Sequence, residues 1–171
     1  GNYGISKNPE SFAFYGYRKY FTDKNRNAVL RLSRDGITEI SAYGMKDFFR
    51  DNLINLDSIT AKGKAVGGFD IHNKCYVLSL QPGNSNIDYS TLSFDDSING
   101  WTSFYSYKPS FSFNLKNNFY TTNQVGLYLH NFADPSSTTK NTFYNVDFDS
   151  SVEFVFNPQP SMAKVFKTVS Y

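Results

Sequence analysis

The chain has 171 residues, a length suited to one domain, and carries 17 basic against 15 acidic residues for a net charge of +2. So near a balance excludes a general electrostatic case for nucleic acid or for an anionic membrane surface. A single cysteine, Cys75, excludes an internal disulfide framework and a cysteine-built zinc site, and no apolar run reaches the length of a membrane-spanning helix.

The informative quantity is aromatic content: 13 Tyr, 17 Phe and 1 Trp, or 18% of the chain. Aromatic side chains fit the half-buried, pleated surface of a sheet. Ala and Leu are sparse, while Asn, Ser, Asp and Gly recur every few residues as turn formers. These features predict an all-β domain with one short inserted helix. Residues 1–10 are expected to be a flexible leading segment or a tag remnant, without the apolar stretch of a signal peptide. Residues 11–171 are expected to form a single β-rich domain.

In chain order, Phe12, Phe14, Tyr15 and Tyr17 form an aromatic cluster ahead of a strand at 19–22. A polar turn at 23–27 leads to a strand at 28–33, where Leu30 and Leu32 alternate with Arg31 and Ser33. Arg34-Asp35-Gly36 reads as a tight hairpin turn, because Asp-Gly readily supplies a positive φ, with a return strand at 37–41. Met45, Phe48, Phe49 and Leu53 then follow the spacing of one helical face, and Leu56 continues it. Strands are expected at 65–69, 75–80, 89–94 and 101–107. Further strands are expected around Phe111 and Phe113, with a turn at Asn117-Asn118, and at 119–122, 126–129, 142–148, 151–156 and 163–171. The last stops in mid-pattern, as in an excerpt of a longer protein.

Three strand–turn–strand units carry Asp23, Asp70 and Asn123 in their turns, at intervals of 47 and 53 residues. Propeller blades recur at about 40–50 residues. The predicted architecture is therefore propeller-like blades, with a β-sandwich or an irregular β domain as the alternative.

No constellation points to catalysis. His72 and Cys75 supply two possible metal ligands where a structural zinc site needs four, and His130 does not complete the set. Asp23, Asn25 and Asn27 resemble the opening of a calcium loop, but Ala28 and Arg34 stand where its glycine and glutamate belong. Gly67-Gly68 lacks the context of a phosphate loop and fits a close backbone approach or a bulge. Ser103, Ser106 and Ser110 lack a nucleophile elbow. Asp95-Asp96 reads as a turn rather than an acid–base pair. No catalytic residue, metal or cofactor is therefore expected. Trp101, Phe104, Tyr105 and Tyr107 remain: a strand points Phe104 and Tyr105 to opposite faces, so one face is expected to be core and the exposed remainder a protein–protein interface, with a sugar-stacking platform as the lesser reading.

Several phrases carry a family likeness. They are Tyr20-Phe21-Thr22-Asp23 with 28–36, Tyr43-Gly44-Met45 running to Asp51, and Gly67-Gly68-Phe69-Asp70 with Tyr76-Val77-Leu78-Ser79. Then come Leu92-Ser93-Phe94-Asp95 through Gly100-Trp101 to Pro109, Asn141-Thr142-Phe143-Tyr144 and Phe166-Lys167-Thr168-Val169. In this order, over roughly residues 15–171, the chain resembles large tail-associated virion structural proteins of tailed bacteriophages, the crAss-like gut phages and marine phage relatives. The resemblance implies an excerpt of a longer protein that is made in the bacterial cytoplasm and located in the virion. It implies a non-enzymatic role, in the tail or beside the portal, through assembly with other virion proteins and possibly with copies of itself. A carbohydrate-binding module for host attachment is the alternative, with a glycan as partner.

Overall fold

The computed structural model describes residues 3–83, 88–132, 140–153, 161–163 and 165. Among the described residues the chain is mostly β: four antiparallel sheets and one short helix, with no sheet closed into a barrel. The first sheet is a meander of β1 (Ala13–Tyr15), β2 (Arg18–Asp23), β3 (Ala28–Ser33) and β4 (Gly36–Glu39). Helix α1 (Lys46–Ile54) follows. The second sheet is a meander of β5 (Lys64–Asp70), β6 (Cys75–Gln81), β7 (Ser90–Asp95) and β8 (Gly100–Tyr105). A third, three-stranded sheet contains β9 (Phe111–Leu115), β10 (Asn118–Thr122) and β11 (Leu127–Leu129). A small hairpin of β12 (Thr142–Phe143) and β13 (Val146–Asp147) comes last.

Turn chemistry sets most of these boundaries. Asp23 caps a short 3-10 turn by accepting from the Arg26 N–H, and Asn27 closes that turn in the left-handed region at φ 52°. Gly36 opens β4 at φ 105°. The turn before β10 falls at Lys116 and Asn117, both at positive φ, one residue earlier than expected. Residues 142–148 form a hairpin rather than one strand, because Tyr144 and Asn145 both take positive φ and reverse the chain. The strand expected at 151–156 is absent at 151–153, and the rest of it lies outside the described residues. The strand expected at 163–171 also falls almost wholly outside them.

The strands β5 to β7 of the second sheet are buried on both faces, which is why β6 has no exposed residue, while the edge strand β8 is partly exposed. One face presents Ala65, Phe69, Tyr76, Leu78, Leu80, Leu92 and Phe94 to the main core, with Tyr20 and Val29 of the first sheet and Phe49 and Leu53 of α1. Tyr20 stacks on Tyr76 at 4.9 Å between ring centroids, and Tyr15 stacks on Phe69 at 4.4 Å. Full burial of each large side chain contributes about 2 kcal/mol. The other face carries Val66, Gly68, Cys75, Val77, Ser79 and Thr91 towards the third sheet and its approach.

The first strands of the three sheets lie side by side, β1 against β5 and β5 against β9. Gly67 and Gly68 make this close approach possible. A Cβ on Gly67 would sit 2.0 Å from the Ser11 carbonyl oxygen, and one on Gly68 would sit 2.6 Å from Ser112 Oγ. The ladder is regular at both positions, so the pair serves a close approach and not a bulge.

The turns at Asp23 and Asn123 join second to third strands of their sheets, whereas the turn after Asp70 joins the first strand to the second. The intervals between these turns therefore do not mark one repeated unit. The repetition lies in the sheets themselves, whose first strands begin at Ala13, Lys64 and Phe111.

Residues 3–10, expected to be flexible, make specific contacts. The Gly4 N–H donates to Asp23, Asn8 is buried, and the Asn8 carbonyl accepts from the Ser11 hydroxyl at 2.7 Å.

Candidate functional site

The four aromatic residues expected to form an interface do not share one surface. Trp101 packs against Phe49 at 4.6 Å and Phe94 at 5.3 Å, and its Nε1–H donates to the Ile40 carbonyl at 3.0 Å. Phe104 lies on the same face, 62% exposed, with its edge against Phe48. Simple alternation would put positions 101 and 104 on opposite faces. A register shift at Ser93/Phe94 sets Trp101 opposite Phe94 and Phe104 opposite Leu92, so both join the main-core side. Tyr105 and Tyr107 go to the other side, where Tyr107 is buried in a second core with Cys75, Val77 and Phe119. A sugar-stacking platform at Trp101 gains no support from this arrangement, because the ring packs inward and its donor is used.

The second core is where the C-terminal hairpin docks. Phe143 lies 4.9 Å from Tyr107, and Tyr144 lies 4.5 Å from Tyr128. Thr121, fully buried, hydrogen-bonds both the Tyr144 hydroxyl at 2.8 Å and His130 Nε2 at 2.6 Å. Burial pushes the His130 pKa down, Tyr144 up to about 12 and Cys75 up to about 12, the last with help from Asp70 and Asp95. Residues 106–110 cross this side of the second sheet, and buried polar side chains hold their carbonyls. Thr91 Oγ1 donates to the Tyr107 carbonyl at 2.6 Å, and Gln81 Nε2 donates to the Pro109 carbonyl at 2.6 Å. Each bond satisfies an acceptor that burial would otherwise leave unpaired.

Burial also raises the pKa of Tyr20, Tyr76 and Tyr107, with a hydrogen bond to Asp96 as the second cause at Tyr20. A pKa raised in the fold stabilises the protein below the ordinary tyrosine value near ~10, and that contribution is lost as pH rises through the raised values. Stability is thus expected to fall above pH ~10. Absorbance at 295 nm should show Tyr20, Tyr76 and Tyr107 ionising only as circular dichroism collapses. Ionisation of all of them near pH 10 with the fold intact would contradict this.

A polar clamp joins the first and second sheets. Asp96, in the β7–β8 turn, accepts from Arg31 Nη1 at 2.5 Å, from Arg18 Nη1 at 3.1 Å and from the Tyr20 hydroxyl. Its neighbour Asp95 caps the turn, accepting from the Ser97 N–H at 2.7 Å. The two adjacent carboxylates therefore serve different purposes, and neither faces the other as a catalytic partner.

The remaining candidates separate as well. His72 is exposed on the β5–β6 turn, where its N–H donates to Asp70, while Cys75 is buried. Among the described residues no three His, Cys, Asp or Glu side chains gather to hold a metal ion. A shallow polar cleft lies between α1 and the start of β7, lined by Asn52, Leu80, Pro82, Asp88, Tyr89 and Ser90. Its lining includes one carboxylate, where glycoside hydrolysis uses two. Among the described residues no helix is long and apolar enough to cross a membrane.

Comparison with curated proteins gave no match. Residues 138–171, the stretch that contains the docked hairpin, match the family model described as the Crassvirus muzzle protein C-terminal domain, and over that stretch the chain is similar to a structural protein of the phage virion.

Proposed function

We propose that this chain is a non-enzymatic structural component of a tailed-phage virion, placed in the tail or beside the portal, and that it works by protein–protein assembly with other virion proteins. The observation that carries the reading is the match over residues 138–171 to a virion protein domain. The hairpin within that stretch is integrated with the rest of the chain, since Phe143 and Tyr144 pack into the core formed by the second and third sheets. The sheet arrangement supports a propeller-like reading: successive antiparallel meanders set their first strands side by side. A second sheet packed between two cores suits a part that must hold its shape within a particle.

Quantitative mass spectrometry of purified virions tests this. Peptides of the chain are expected in fixed proportion to the other structural proteins through successive purification steps. Their loss on purification, or their presence only in the infected-cell lysate, would overturn the proposal.

A further inference from the structure

Among the described residues the three larger sheets form a series, and the face at each end of it carries exposed apolar side chains. In the first sheet Ala13, Tyr20 and Val29 face the second sheet. On the opposite face one row crosses all four strands, Phe14, Lys19, Leu32 and Ile37, while the adjoining row of Phe21, Leu30 and Glu39 is half-buried to buried. Phe14 is 64% exposed and Ile37 43%. In the third sheet Ser112, Phe119 and Thr121 face inward. The opposite face gathers Phe111, Phe113, Leu115, Tyr120, Leu127 and Leu129. Phe111, Leu115 and Leu127 are each at least half exposed. Apolar sheet faces of this kind are ordinarily buried against another layer.

We propose that these two faces are the halves of one head-to-tail contact between copies of this chain, the third sheet of one copy stacking on the first sheet of the next. The inference rests on the assembly reading above and names its partner and surfaces. Two observations favour this occupant. Inside the chain, neighbouring sheets already meet face to face with their first strands adjacent, and the contact between copies continues that series. Charge also distinguishes the two faces. The exposed first-sheet row carries Lys19, and Glu39 lies in the adjoining row of that face. The strands β9, β10 and β11 contain no charged residue, and their stacked Phe113 and Tyr120 rings offer π faces to an ammonium group. The contact is heterologous, so it generates a closed ring or a filament rather than a two-fold dimer.

Light scattering on the 171-residue chain tests this, with Leu127→Lys breaking one face and Ile37→Lys the other. The wild-type chain is expected to grow beyond a dimer with concentration, and each variant alone to remain a monomer. An equimolar mixture of the two variants is expected to stop at a dimer, because one sound face of each kind remains. Circular dichroism checks folding, and Leu115→Lys with Phe14→Lys serves as a second pair if either variant unfolds. A wild-type chain that stays monomeric, a single variant that still assembles, or a mixture that fails to pair would each overturn the proposal. A monomeric chain that is nonetheless present in virions in fixed proportion would remove this contact and leave the assembly reading standing. Absence from virions would remove that reading, whatever the chain does alone.

Discussion

Gly67→Ala is expected to destabilise the protein by about 3 kcal/mol, the upper part of the range for overpacking a rigid interior. The added methyl would sit 2.0 Å from the Ser11 carbonyl oxygen and 2.9 Å from the Tyr76 hydroxyl, which itself donates to that carbonyl at 2.7 Å. The clash is with backbone, so no side-chain rotation relieves it, and the leading segment must separate from β5. At about 2–4 °C per kcal/mol for a chain of this size, the melting temperature should fall by roughly 10 °C. Gly68→Ala should cost less, because its nearest neighbours, Ser112 Oγ and Phe119, are side-chain atoms. Gly100→Ala is the control: nothing lies closer than 3.7 Å, and the change should be nearly neutral. Thermal denaturation of the three variants measures this order, and equal losses at Gly67 and Gly100 would refute the close-approach account.

Asp96→Ala is expected to cost about 2–4 kcal/mol. Removing one partner of a buried ion pair typically costs ~3–5 kcal/mol, and partial exposure of the arginines lowers that figure. The Asp96 side chain is 10% exposed and that of Arg31 16%. Arg31 already has a buried Nε without a hydrogen-bond partner, so loss of Asp96 would add a second unmet donor on the same guanidinium. The Tyr20 hydroxyl would lose its acceptor at the same time. Arg18→Ala should cost under ~1 kcal/mol, since that side chain is 49% exposed and its ion pair is screened by water. Urea denaturation distinguishes the two, and equal losses would show that Asp96 does not clamp the sheets.

Local chemistry made much of this fold legible in the sequence. The strand at 28–33, the turn at Arg34-Asp35-Gly36 and the helical spacing of Phe49 and Leu53 each depend on a few neighbouring residues, and each appears in the structure, although Leu30 and Leu32 face away from the second sheet and Arg31 towards it. The close approach at Gly67-Gly68 was readable because only glycine leaves such room. Features that depend on distant partners were not readable. Trp101 turns inward through a register shift in its pairing with β7, which nothing in the local pattern of β8 signals. The turn at Tyr144 and Asn145 uses positive φ at a tyrosine, so it lacks the usual glycine mark. Asp95 and Asp96 look alike in sequence, yet one caps its own turn while the other meets an arginine 65 residues away. The candidate surface was legible only in part. Aromatic richness at 101–107 was plain, but which rings reach solvent depends on how three sheets stack.

That stacking order also sets a schedule for synthesis. The first sheet is complete at Glu39, but the face that carries Tyr20 and Val29 is covered by residues that reach Phe94. At about 5–20 residues per second, the emerging chain displays that apolar face for several seconds before its cover is made. The third sheet has no such wait, because the strands that receive Phe119 precede it in the chain. Of the three sheets, the first is therefore the one most in need of chaperone protection on the ribosome.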